Sequence, residues 1–287
     1  MTAYELMIKA NHYLIQGGKL TEPQKENIAR QLLAAKSAET EARRFYSGVR
    51  FPNNIDGEGR RMYPVYYIPP HNGGKKYRTI FGQMPKTQIF SANMYELEIL
   101  RLLHLLRPEL PEVEHMVTDT LARLRTTCFG FADDGVGECF DASLVVLRFL
   151  AAAAPGQHTW IESRIENFNR HYAEKKRTWY CLWYYWLCLS ELPFQMIKQE
   201  LDKYKPVMLN WLEYKSYVMN SEQDKRVHPV LVCMFRNNIS RYPEYKYIRE
   251  RSPYVSEKDG RLHFDMAWQS AAETVTRKVR FLDDKIK

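Results

Sequence analysis

Along most of the chain, apolar positions recur every three or four residues, the period of a helix with one buried face. Tyr4 to Gln16 follows this pattern and stops at Gly17-Gly18. Thr21-Glu22-Pro23-Gln24 then opens a second helix in capping-box order, with proline in its first turn. Helices separated by so short a link fold back as an antiparallel hairpin. The unit recurs: YELMIKANHYLI at 4–15 and YELEILRLLHLL at 95–106 align without gaps, and each leads into an amphipathic partner, at 22–36 and 111–126.

Superposing terminal prolines extends the series. LEILRLLHLLRP, LVVLRFLAAAAP and LWYYWLCLSELP end at Pro108, Pro155 and Pro193, spacings of 47 and 38 residues that suit two-helix repeats. The helices expected at 94–106, 140–154 and 179–192 are apolar almost all round, so both of their sides must be covered. By contrast, PEVEHMVTDTLARLR and TWIESRIENFNRHYAEKKR each have one apolar stripe and one charged face. Stacked pairs of a buried and a half-exposed helix make either a two-layer solenoid or a closed α/α toroid. About six hairpins would close a ring at this period, with weaker helical patterns at 194–217, 228–240 and 264–282 supplying the remainder.

Two stretches break the pattern. MYPVYYIPPHNGGKKYRTIFGQ, at 62–83, has two Tyr/Val/Ile-rich runs around Asn72-Gly73-Gly74, which predicts a β-hairpin at about 63–68 and 76–81. RYPEYKYIRERSPYVSEKDGRLHF, at 241–264, reads as a long polar loop with room for another short hairpin. The expected architecture is mainly α: one domain over 1–287 of stacked helical hairpins, toroid-like, with a basic β-hairpin insertion at 46–88.

Composition refines this picture. With 45% hydrophobic and 26% charged residues the chain is that of a globular protein, not a disordered one. The N-terminus lacks the pattern of a secretory signal, and no window holds the roughly 18 consecutive apolar residues of a membrane span, so the expected location is cytoplasmic. Five cysteines, with no C-x-x-C pair, read as reduced thiols. Residues 43–88 contain nine Lys and Arg against Asp56 and Glu58, so this segment carries +7 of the formal +8 charge. Such a concentration attracts anionic partners.

A charged helix, a glycine-rich acidic loop and an apolar helix, as in RLRTTCFGFADDGVGECFDASLVVLRFLAA, resemble the repeat of the terpenoid cyclase and protein prenyltransferase superfamily of α/α toroids. EKKRTWYCLWYYWLCLSEL is similar to an inner helix of that ring. The resemblance covers about residues 90–193 and implies a central cavity. It implies no specific chemistry here. The Asp-x-Asp-Asp acid motif is reduced to Asp133-Asp134, the glutamine-tryptophan repeats are missing, and the tryptophan-rich helix lacks a histidine for zinc.

The candidate catalytic residues are Asp133, Asp134 and Asp141. Paired carboxylates facing a cavity raise one another's pKa, giving an acid beside a base, whereas Glu138 or Asp141 at a helix start is equally explained by the helix dipole. Trp179, Trp183 and Trp186 recur at i, i+4 and i+7 and form one stripe, either core packing or the wall of a ligand cavity. Arg61, Lys75, Lys76 and Arg78 interleave with tyrosines, a composition that tracks phosphates and stacks bases. Glu112, His115 and Asp119 share a helix face at metal-ligand spacing, but exposed ionic pairing explains them and no metal is assigned. No cofactor motif is present. Two functions follow: a toroid that binds, and in its enzymatic form transforms, a small ligand in an aromatic-lined cavity, or a non-catalytic scaffold holding an acidic protein or nucleic acid through 43–88.

Overall fold

The computed structural model describes residues 1–36, 76–125, 127–132, 138–154, 156–175, 182–213, 222–250, 255–258 and 261–264. Nine long helices dominate them: α1 (Ala3–Ile15), α2 (Glu22–Ala34), α3 (Gln88–Leu106), α4 (Pro111–Leu124), α5 (Glu138–Ala153), α6 (His158–Lys175), α7 (Leu182–Ser190), α8 (Phe194–Glu213) and α9 (Glu222–Ile239). A short helix, α10 (Tyr247–Glu250), and an antiparallel strand pair, β1 (Val255–Lys258) with β2 (Arg261–Phe264), follow. None of the described helices is long and apolar enough to cross a membrane.

Local chemistry sets the ends of the first hairpin. The Thr2 hydroxyl accepts from the Glu5 N–H, and the Glu5 carboxylate accepts from the Thr2 N–H, which closes a capping box on α1. Gly17 ends α1 with φ of 81°, a left-handed conformation that favours glycine. The Gln24 side chain then accepts from the Thr21 N–H at the start of α2. Gly130 fills a different need in the turn after α4: a Cβ there would stand 2.1 Å from the Leu124 carbonyl oxygen. Its own carbonyl accepts from the Trp160 indole at 2.9 Å, tying that turn to α6.

The odd and even helices have different surroundings. Residues 89–103 of α3, 140–150 of α5 and 182–190 of α7 are buried without interruption, as helices apolar all round must be. In α2, α4, α6 and α8, buried positions recur along one face only, and the charged face meets water. Packing follows the same division. α3 lies against α1 and α5, α5 against α7, α7 against α9, and α9 back against α1. α2 and α4 cover α3, while α6 covers α5 and α8 covers α9.

These five odd helices run the same way: in α1 the Tyr4 ring lies near that of Tyr95, early in α3, and Asn11, further on, accepts from Arg148 of α5. Glu98 meets Arg148 on α5, and six residues further along α3 the His104 ring meets the Ala152 backbone. Tyr184 bonds Glu98, and Glu191, at the end of α7, bonds Arg148. Asn238 of α9 donates to the Trp186 carbonyl, and Arg241 just beyond it to the Ser190 and Leu192 carbonyls. Early positions thus pair with early ones and late with late.

The second strand expected at 76–81 is not formed. Residues 76–79 are not in a strand, and Ile80 and Phe81 lie in a turn. Tyr77, Ile80 and Phe81 are instead buried in the helical core; the Tyr77 N–H donates to Ser91 Oγ at 2.6 Å, and its ring stacks 4.6 Å from that of Tyr95. Their apolar side chains gain more from burial beneath helices than an exposed hairpin offers. The other strand and its turn lie outside the described residues, as does all but Phe264 of the helical pattern expected at 264–282, and Phe264 ends β2.

Candidate functional site

A cavity of about 640 Å³ opens where the carboxyl-terminal halves of the five parallel helices come together. α1 contributes Leu14 and Ile15, α3 Arg101, Leu105 and Leu106, α5 Arg148, and α9 Asn237. Leu187, Ser190 and Glu191 come from α7 and its end, and Gly18, Lys19, Leu20 and Lys25 come from the α1–α2 link and α2. Leucines and Ile15 share the wall with a set of side chains that are mostly hydrogen-bond donors.

Two of these donors, Arg101 and Arg148, belong to a buried ionic network. Arg148 has only 1% of its side chain exposed, and it reaches Glu191 twice, through Nε at 2.9 Å and through a terminal nitrogen at 2.8 Å. Its other terminal nitrogen bonds the Glu98 carboxylate and, at 3.1 Å, the Asn11 side chain. Glu98 also accepts from the Tyr184 hydroxyl. Arg101 adds a 3.0 Å bond to Glu191, while its own Nε, buried, has no hydrogen-bond partner. Such charges are tolerated in a core only when paired and hydrogen-bonded.

Protonation follows from this geometry. Burial opposes ionisation of Glu191, but the Arg101 and Arg148 guanidiniums outweigh it and hold the carboxyl below its ordinary range. Burial also lowers the tendency of Arg148 to stay charged, yet Glu191 and Glu98 more than restore it. The Tyr184 hydroxyl and the Cys188 thiol, on the same face of α7, are pushed well up by burial and stay protonated. Cys188 donates to the Leu144 carbonyl at 3.6 Å, in keeping with a thiol that acts as a small apolar side chain.

The tryptophans expected to line a cavity do not line this one. Trp186 is 1% exposed and meets Tyr204 of α8 and Phe235 of α9 edge-on, with centroids at 5.4 and 5.6 Å. Trp183 is likewise buried in the core, and Trp179 lies outside the described residues. The face of α7 that points to the ionic network carries Tyr184, Cys188 and Glu191 instead. A helix covered on both sides can bury its indoles against its neighbours, and Trp183 and Trp186 are buried in this way.

Of the three candidate acids only Asp141 is described, and it does not line the cavity. Asp133 and Asp134 lie outside the described residues. Asp141 sits in the first turns of α5, at the opposite end from Glu191, and is 5% exposed with one carboxylate oxygen unpartnered. Burial pushes its pKa up to about 7, against the pull of Lys86. It can therefore hold a proton near neutrality, a property that burial alone explains.

Of the basic cluster, Arg61 and Lys75 lie outside the described residues. Lys76 donates to the Lys86 carbonyl and Arg78 to the Gly82 carbonyl, so both help to fasten their own loop. Glu112 is bonded by Lys36, and His115 pairs with Asp119 at 3.1 Å on the exposed face of α4. Among the described residues, no three His, Cys, Asp or Glu side chains are grouped to hold a metal ion.

Sequence reasoning passed over Glu98, Arg101, Arg148 and Glu191. Their signal was available: lone charges inside helices otherwise apolar all round, a placement rarely found without a partner. The chain matches no protein-family model, no curated protein and no solved structure.

Proposed function

We propose that α1, α3, α5, α7 and α9 close a toroid-like ring, and that the protein uses the cavity at its carboxyl-terminal mouth to bind a small ligand. One observation carries the reading: a single cavity takes lining residues from all five helices, as the mouth of a closed ring must. The cycle of neighbours from α1 through α9 and back to α1 supports it. So does the size, since ligand sites fall in the range of roughly 300–1,000 Å³. The aromatic-lined form of the idea is replaced by a wall of leucine and guanidinium.

Binding, not catalysis, is the activity this wall favours. Among the described lining residues the one hydroxyl, Ser190, is committed to the Leu187 carbonyl at 2.8 Å, and the one carboxylate, Glu191, to two arginines. Neither is placed as a nucleophile beside a base.

Filling the cavity tests the reading. Leu105 lines it with 43% of its surface exposed, so Leu105→Trp adds bulk there without repacking the core. A fragment set is screened by saturation-transfer NMR on both proteins. Fragments that bind the wild type and are lost in Leu105→Trp support the proposal; hits unaffected by the substitution, or no hits at all, overturn it.

A further inference from the structure

We infer that the ligand of this cavity is an uncharged amphipathic alcohol, a hydroxyl head on an apolar body. The inference rests on the binding reading above and adds the chemical class.

The charges of the wall are already matched within the protein. All three Arg148 nitrogens are bonded, to Glu191, Glu98 and Asn11. Arg101 bonds Glu191 at 3.0 Å, and its Nε is sealed from the cavity. Lys25 is paired with Glu22 at 2.7 Å. Beside Glu191, Arg241 gives the network a third guanidinium against its two carboxylates, Glu98 and Glu191. The end of α7 answers that surplus, since Arg241 donates to the Ser190 and Leu192 carbonyls, where the helix dipole favours a cation. Lys19 remains, exposed to water at the rim.

A charged ligand of either sign therefore meets opposition. A carboxylate or phosphate would face the carbonyl ends of α1, α3 and α7, which carry partial negative charge at this mouth. An ammonium would face Lys19, Lys25 and Arg101, and both oxygens of Glu191, the one carboxylate among the described lining residues, are taken by guanidinium. Removing an ion from water without a partner costs far more than removing a neutral head.

What the wall still offers is neutral. Asn237 of α9 is half-buried in the lining, and its amide both donates and accepts. The Ser190 hydroxyl gives its hydrogen to the Leu187 carbonyl and can still accept. A hydroxyl head, itself donor and acceptor, matches these two groups. Leu14, Ile15, Leu20, Leu105, Leu106 and Leu187 line the same cavity and supply aliphatic contact for the body.

The test titrates 1-octanol, octanoate and octylamine, which share one apolar body, into the full chain by calorimetry at pH 7. The last two are charged at that pH, with opposite sign. Octanol is expected to bind about tenfold or more tightly than either, as an unmatched charge or unmade hydrogen bond dictates. Asn237→Leu should weaken octanol about two- to tenfold, the loss of one hydrogen bond. Octanoate or octylamine binding as tightly as octanol overturns the assignment of an uncharged ligand, and this comparison needs only the wild type, whether or not the variant folds. Octanol affinity unchanged in Asn237→Leu overturns the role of the hydroxyl. If a charged probe binds best and is lost in Leu105→Trp, the cavity reading stands and only this inference falls. If no probe binds, or none is sensitive to Leu105→Trp, the cavity reading falls with it.

Discussion

Removing Arg148 should unfold much of what the network stabilises. Arg148→Met keeps the length and apolar volume of the side chain but deletes its bonds to Glu98, Glu191 and Asn11. Glu191 keeps Arg101 and is about one quarter exposed. Glu98 is 1% exposed and is left with a tyrosine hydroxyl alone against its charge. Breaking a buried pair from one side costs about 3–5 kcal/mol, a large share of a typical total of roughly 5–15 kcal/mol. Urea denaturation followed by circular dichroism at pH 7 measures it, with a Tm lower by roughly 10 °C as the thermal counterpart. The double variant Glu98→Gln/Arg148→Met separates the unpaired charge from lost packing. A neutral amide can still accept from Tyr184, so the double variant should be more stable than the sum of the singles implies, with a coupling of at least about 1 kcal/mol. A single-variant cost under about 1 kcal/mol, or additivity within about 0.5 kcal/mol, would refute the account of Glu98 and Arg148 as a buried, mutually dependent pair.

Further outcomes follow from the same reasoning. Trp186→Ala should cost about 3–5 kcal/mol in urea denaturation, as a core indole does; a marginal cost would mean that the ring faces open space. Asp141 has a folded pKa raised to about 7, so the stability it contributes is full at low pH and is lost as pH rises toward that value. Asp141→Asn should thus gain in stability relative to wild type from pH 4 to pH 7 and level off above; a pH-independent difference contradicts the buried carboxyl. Glu191 has the opposite sign: its pKa is depressed, so its contribution is present above the ordinary carboxyl value of 4.5 and is lost as pH falls below it. Glu191→Gln should flatten the loss of stability in acid, and an unchanged acid limb would count against the guanidinium pairing. Gly130→Ala should destabilise measurably, since its Cβ would collide with the Leu124 carbonyl, and an unchanged urea midpoint would show that the turn can yield.

Helix positions and the division into covered and half-exposed helices could be read from the chain, because both depend on the local period of apolar side chains. The expected helices at 94–106, 111–126 and 140–154 became Gln88–Leu106, Pro111–Leu124 and Glu138–Ala153. The start of α3 was missed because QIFSAN is polar in part, although Asn93 and Ser91 are buried and bond inside the fold. Periodicity marks a position as apolar; it does not see a polar side chain that a neighbour will satisfy.

Which buried face looks inward was beyond that reach. Superposing LEILR on LVVLR places Arg101 and Arg148 at equivalent positions, yet only the packing of α3 and α5 against α7 shows that both converge on Glu191. The tryptophan stripe and the Tyr184, Cys188, Glu191 stripe lie on one helix with the same spacing, and the sequence ranks the more aromatic one higher. The tertiary arrangement reversed that ranking because indoles gain most from close contact with Tyr204 and Phe235, whereas a charged side chain survives burial only where opposite charges from other helices meet it. Local periodicity therefore determined the helices, and long-range pairing of charge, 50 residues apart between Glu98 and Arg148, decided where the cavity and its donors lie.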